Sequence, residues 1–144
     1  MDQEIDFSEM PHDYVVCWHG NCPMAENCLR HMAARQLPQN RHIVKSVNLC
    51  AVNPESGTCP MQRPVQWVKN AYGMHNIYRD VRFGDKEMLY HTIWSALGNT
   101  MYYRYRNGKR PITPEIQATI ASAFQSFGYT EPVPYDRIVE AVAW

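Results

Sequence analysis

"DKEMLYHTIWSALGNTMYYRYRNGKRPITPEIQATIASAFQSFGY", residues 85–129, reads as three helices punctuated by glycine, and that reading decides the fold class. In Asp85–Leu97, the side chains of Met88, Leu89, Ile93, Trp94 and Leu97 are spaced to share a buried face. Gly98 breaks the pattern. Asn99 and Thr100 are residue types that cap helix starts, so a second short helix, "MYYRYRN", is expected to follow and to stop at Gly108. In the third, Thr113 suits the cap and Pro114 the first helical position. Ile116, Ile120, Phe124 and Phe127 then recur at helical spacing up to Gly128.

Outward from this core the pattern weakens. "EPVPYDRIVEAVAW" (131–144) reads as a proline-stiffened link and a short final helix capped by Asp136. "PVQWVKNAYGMHNIYRDV" (64–81) reads as a helix with Trp67, Val68, Ala71, Met74 and Ile77 or Tyr78 inward, although Gly73 opposes it. "HIVKSVNLCAV" (42–52) is rich in β-branched residues and is expected as a strand. "MAENCLRHMAARQL" (24–37) is expected as a helix limited by Pro38. The fold class is therefore mainly α with a small β element, an α+β chain. It divides into a flexible arm at 1–13, a Cys-rich subdomain at 14–62 and a helical subdomain at 63–144.

Three of the five cysteines lie in "CWHGNCPMAENC", and a small echo, "GNCPM" and "GTCPM", places Cys22 and Cys59 in similar Gly-containing turns before proline. A structural zinc site needs four such ligands and leaves no open position for water or substrate. Cys50 sits in an apolar run and reads as a small core residue. The expected metal set is therefore Cys17, Cys22, Cys28 and Cys59, with His19 and His31 in reserve. A thiolate at a helix start, where Cys22 falls, gains from the helix dipole. The cofactor is expected to be zinc, and a [4Fe–4S] cluster or no metal stays open, because four thiolates also suit the cluster and unpaired Cys is often merely buried. Such a site would make the Cys-rich part metal-stabilised.

The second unusual stretch is "YYRYRNGKR". Here Tyr102, Tyr103, Arg104, Arg106, Lys109 and Arg110 form the candidate nucleic-acid-binding set, with no acid before Glu115. A helix, a Gly turn and a second short helix give a helix-turn-helix-like layout over about 85–128, in which the second helix would enter a major groove. Arg and Lys would meet phosphates and Arg can read guanine. The formal net charge of zero excludes a global field toward nucleic acid, so this footprint is local.

Catalysis is not expected. The acids are scattered, and there is no Gly-rich phosphate loop or nucleophile elbow, though Cys17 with His19 or His31 could form a nucleophilic pair. Apolar residues make up 45% of the chain and the mean hydropathy is −0.47, values of an ordinary soluble domain. The acidic start carries no signal peptide, and no run approaches the roughly eighteen apolar residues of a membrane span. A cytoplasmic location is expected, where thiols stay reduced.

These motifs have a resemblance. "C…NCPMAENCLR", "VNP…CP", "AYGM", "YYRYRNGKRPITPEIQATIASAF…GY" and "YDRIVEAVAW" resemble a domain-of-unknown-function family of small Bacteroidota proteins, from about Tyr14 to Trp144. The resemblance implies cysteines at Cys17, Cys22, Cys28 and Cys59, and none at position 50. It implies no activity. Lys86–Tyr129 is also similar to the DNA-binding unit of phage-repressor-type regulators. The expected function is nucleic-acid binding in a regulatory role. A non-enzymatic protein-interaction module, using the tyrosines and Trp144, and an iron–sulfur redox or sensor protein stand as alternatives.

Overall fold

The computed structural model describes residues 3–144. In chain order the elements are α1 (Leu29–Arg35), β1 (Trp67–Tyr72), α2 (Phe83–Leu97), α3 (Asn99–Arg106), α4 (Pro114–Ser126) and β2 (Arg137–Val142). The two strands form one antiparallel sheet, so the fold is α+β and mainly helical. Short 3-10 turns at Phe7–Glu9, Ala25–Asn27, Leu49–Ala51 and Pro54–Ser56 complete it. Two units divide the chain: residues up to Trp67 with Val142–Trp144, and Val68–Ala141.

In the second unit the three helices stand where their apolar spacing places them. α2 packs against both α3 and α4. Leu89, Ile93, Tyr102, Ile120 and Phe124 meet Met74 and Ile77 in one core, each such burial contributing about 1.5–3 kcal/mol. Met88, expected inward, is 64% exposed. The core stripe is narrower than the run of apolar letters, and Leu89 and Ile93 fill it one turn apart. Single-residue Gly98 joins α2 to α3. Asn99 opens α3 without capping it; its Oδ1 accepts instead from the Trp94 indole N–H at 3.2 Å. Both α3 and α4 end in a Schellman motif. After α3, the Lys109 N–H reaches the Arg104 carbonyl at 2.9 Å and the Gly108 N–H the Tyr105 carbonyl at 3.2 Å. Gly108 takes φ +70°, where a side chain would be strained. After α4, Tyr129 packs its ring on Phe124, the residue whose carbonyl its N–H caps at 3.1 Å. The Tyr129 hydroxyl also accepts from the Arg82 N–H at 3.1 Å and donates to Asp85 at 2.6 Å, closing the start of α2.

Two expected helices are strands. Residues 67–72 of the expected 64–81 helix are β1, and residues 137–142 of the final segment are β2. Both are rich in β-branched or aromatic residues, which fit a pleated surface. The deciding contact is non-local: strands some seventy residues apart in the chain pair with one another, and local periodicity is blind to that. Gly73, at φ +81°, turns the chain out of β1 and rules out a continuous helix. Ala71, Met74 and Ile77 are nonetheless buried as expected.

In the first unit regular structure is sparse. The expected helix at 24–37 is split: Cys28 is extended (φ −126°, ψ 112°), and α1 starts only after it. The expected strand at 42–52 reduces to one parallel bridge, Val16 with Ser46. Its end is a 3-10 turn, in which the Asn48 side chain accepts from the Cys50 N–H at 3.1 Å. A satisfied Asn turn competes with extension. Met10, Val16, Ala33 and Ala34 form the core here, joined by Phe7, Tyr14 and Trp144. From the segment expected as a flexible or loosely docked arm, Phe7 and Met10 pack into this core; its residues 1 and 2 lie outside the described residues.

Candidate functional site

Cys17, Cys22, Cys28 and Cys59 line one cavity in the first unit, together with His31, Met24, Val47 and Met61. Cys28 is buried, and Cys17, Cys22 and Cys59 are half-buried. Three different pieces of chain deliver them. Cys17 leaves the Val16 bridge, where its N–H donates to the Arg30 carbonyl at 3.0 Å. Cys22 and Cys28 flank the 3-10 turn before α1. Cys59 starts a turn closed by the Gln62 N–H on its carbonyl at 3.1 Å. Arg30 binds these pieces together, donating to the Met61 carbonyl and to the Val15 carbonyl, each at 2.9 Å. The Leu29 N–H adds a 2.7 Å bond to the Arg63 carbonyl.

Cys50 is exposed and lies off this cavity, so its expected role as a core residue is wrong. Of the two reserve ligands, His31 lines the cavity and His19 does not. The cavity is small, about 20 Å³, room for one water-sized body. As the side chains are placed, no group of three or more His, Cys, Asp or Glu among the described residues is arranged to hold an ion. The placement alone therefore does not support a metal-stabilised fold. What it supplies is the donor set, four thiols and one imidazole around one void.

The basic stretch separates into an inner and an outer side. Tyr102 and Tyr105 are buried, Tyr102 to 1% exposure. Tyr102, expected to face nucleic acid, lies instead in the core, its hydroxyl 2.9 Å from that of Tyr78. Burial raises the Tyr78 hydroxyl well above its ordinary range, reinforced by the bond to Tyr102, and burial raises Tyr102 also. On the outer side Tyr103 shares a 2.9 Å hydroxyl contact with Tyr90. Arg104, Arg106, Lys109 and Arg110 are exposed, and none forms a salt bridge among the described residues. The tyrosines thus lock α3 from within, while four unpaired cations stand outside.

A further cluster is not anticipated by the sequence. Asp136, expected as a helix cap, accepts from His75 Nδ1 at 2.6 Å. Its own N–H bonds the Gly73 carbonyl at 3.1 Å. Its side chain lies so close over Gly73 that a Cβ there would collide with it. Arg137 stacks its guanidinium 4.3 Å from the centre of the Tyr72 ring. These residues border a pocket of about 220 Å³ with Asn107 and Gly108. The only local hint is Gly73; the pairing of His75 with Asp136 spans 61 positions and leaves no motif.

Among the described residues, no helix is long and apolar enough to cross a membrane. The chain belongs to a family of unknown function (DUF6078), whose family model matches residues 1–144. Neither the curated proteins nor the solved structures yield a match.

Proposed function

We propose that this member of the family is a small metal-stabilised protein that binds nucleic acid in a regulatory role, through the outer face of α3 and the loop after it. The observation that carries the reading is the set of four cations, exposed and unpaired among the described residues: Arg104 and Arg106 on a short helix whose other side is fixed by buried tyrosines, and Lys109 and Arg110 in the loop after it. Unpaired guanidinium and ammonium groups on a rigid support are suited to phosphate contacts. Tyr103, half free of the core, adds a hydroxyl and a ring face.

The metal part of the proposal rests on the first unit. It has about 70 residues and one seven-residue α-helix, a size at which a small core generally needs a staple. Cys17, Cys22, Cys28 and Cys59 would hold the ion as thiolates, and His31 is the nearest alternative donor. A bound zinc ion would supply cross-linking between three chain segments, with no open position for chemistry.

Binding to duplex DNA, followed by fluorescence anisotropy across a salt series, tests the first part. Affinity should fall steeply with salt, and Arg104→Ala/Arg106→Ala should reduce the slope of log K against log salt by about 2, since each phosphate that is no longer neutralised takes away roughly 0.9. A double variant that binds as tightly as the parent overturns the assignment of this face. Elemental analysis of protein purified without air tests the second part: stoichiometric zinc is expected, bound iron replaces zinc by a cluster, and metal-free folded protein removes the staple. A protein partner is the second reading, favoured by Phe83, 93% exposed on α2. Capture of one stable protein partner with no retained nucleic acid would support it.

A further inference from the structure

The pocket bordered by His75, Asp136, Arg137 and Asn107 has three polar groups without a hydrogen-bond partner among the described residues. Asp136 accepts a hydrogen bond from His75 Nδ1–H, which leaves Nε2 as the free ring nitrogen. Arg137 lies flat on Tyr72. Stacking uses the face of a guanidinium and leaves its edge N–H groups available, and none makes a salt bridge or side-chain hydrogen bond among the described residues. The Asn107 side chain is likewise without a hydrogen-bond partner there. The backbone N–H groups of Asn107, Gly108 and Lys109 are already spent on α3 carbonyls, so any ligand here is recognised by side chains.

Asp136 makes this arrangement rigid. Its N–H, its carboxylate and its contact with Gly73 hold it from three directions. The imidazole is in turn oriented by the carboxylate, much as a carboxylate behind a metal-binding or catalytic histidine fixes its ring. The carboxylate bonds the His75 ring and itself lines the pocket, so an anion bound there must be held by Arg137 and Asn107 against it.

The geometry points to a binding site for a phosphate monoester or free phosphate, held by Arg137 and Asn107 and sharing one proton with His75 Nε2. Arg137 supplies a fork for two oxygens. The proton distinguishes phosphate from other anions. A phosphate monoester has its second pKa near 6, so near neutrality part of it still carries a P–OH that can donate to Nε2. When the ring is neutral, the P–OH donates to Nε2; when the ring is protonated, Nε2–H donates to the phosphate oxygen. A carboxylate or a sulfate at neutral pH has no proton to give a neutral ring.

The test is an NMR titration of the full chain at pH 7, following the His75 ring and the Arg137 Nε–H. Inorganic phosphate, a nucleoside 5′-monophosphate and sulfate are the three probes. Saturable shifts with phosphate, roughly tenfold tighter than with sulfate, are expected, corresponding to one charge-assisted hydrogen bond. His75→Gln should remove the preference for phosphate over sulfate, and Arg137→Gln should weaken both by roughly tenfold or more. A nucleoside monophosphate that binds more tightly than phosphate identifies the monoester as the ligand; equal binding identifies free phosphate. Equal, unsaturable shifts with phosphate and sulfate mean an adventitious ion only and overturn the site. The comparison of anions on the parent chain needs no variant to fold, and it contains no nucleic acid, so failure of DNA binding leaves it intact.

Discussion

Arg30 donates its guanidinium Nε to the Met61 carbonyl across 2.9 Å, tying α1 to the turn that carries Cys59. A second donor on the same side chain reaches Val15, just before Cys17. One planar fork thus fixes the spacing of two cysteine-bearing segments on either side of a third.

Arg30→Lys should therefore destabilise the first unit. An ammonium on a flexible stem cannot serve both carbonyls in fixed geometry. Loss of one charge-assisted bond, with a half-buried carbonyl left behind, amounts to about 1.5–3 kcal/mol. Chemical denaturation followed by Trp fluorescence measures it, and metal content measured in parallel should fall with it. A variant as stable as the parent would show that the cysteine segments hold their positions without Arg30.

Two tyrosines should respond in opposite ways to loss of the hydroxyl. Tyr78→Phe strands the hydroxyl of buried Tyr102 and should destabilise by about 1–2 kcal/mol. The Tyr135 hydroxyl is buried with no partner among the described residues, so Tyr135→Phe should leave stability unchanged or raise it. Urea unfolding of both variants, run side by side, decides the matter.

Stability should fall in alkali. Burial raises Tyr78 and Tyr102 above their ordinary value and pushes Tyr135 up to about 12. Each group is protonated in the fold while its unfolded counterpart ionises near 10, so above that pH the unfolded state binds fewer protons and stability declines. This contribution is whole below about pH 10 and is lost as pH rises through the folded values. Between pH 10 and 12 Tyr135 should steadily lose its contribution, and Tyr135→Phe should have a shallower alkaline limb. An unfolding midpoint that holds steady from pH 9 to 12 would contradict this.

Gly73→Ala should cost more than Gly128→Ala. Both positions have positive φ, +81° and +87°, and carry a similar backbone penalty of about 1–2 kcal/mol. Only at Gly73 does a methyl group meet the Asp136 side chain; at Gly128 the space is open. The excess, read from urea unfolding of the two variants, measures that contact. A matching loss of phosphate binding in Gly73→Ala would link it to the pocket.

Where the chain's own neighbours decide a conformation, the sequence is readable. The repeat of Ile116, Ile120 and Phe124 marks a helix because each residue packs against the same core through local geometry. Pro114, Gly98 and Gly108 mark its limits and those of α2 and α3. Trp67–Tyr72 and Arg137–Val142 read as helices by local pattern, yet each becomes a strand by pairing with the other. Of the candidate sites, the choice of Cys59 over Cys50 rests on a turn set against an apolar run. Cys59 lines the cavity and Cys50 does not, but the core place expected for Cys50 is wrong. Cys50 is exposed, held outward by the Asn48 turn. Tyr102 cannot be told from Tyr103 by composition; a helix turns adjacent residues to different sides, and only the position of Tyr78 shows which faces the core.

The Ala143 N–H meets the Gln66 carbonyl at 2.8 Å, and Trp144 packs with Phe7 and Tyr14 in the core of the first unit. That unit therefore takes its last three residues from beyond the end of the second. During synthesis all of Val68–Ala141 leaves the ribosome before Trp144 does. The helical unit, which is continuous in the chain from Val68 to Ala141, can fold while the chain is still being made. The cysteine-bearing unit, although it emerges first, gains the Trp144 contacts with Phe7 and Tyr14 only after the helical unit has been made.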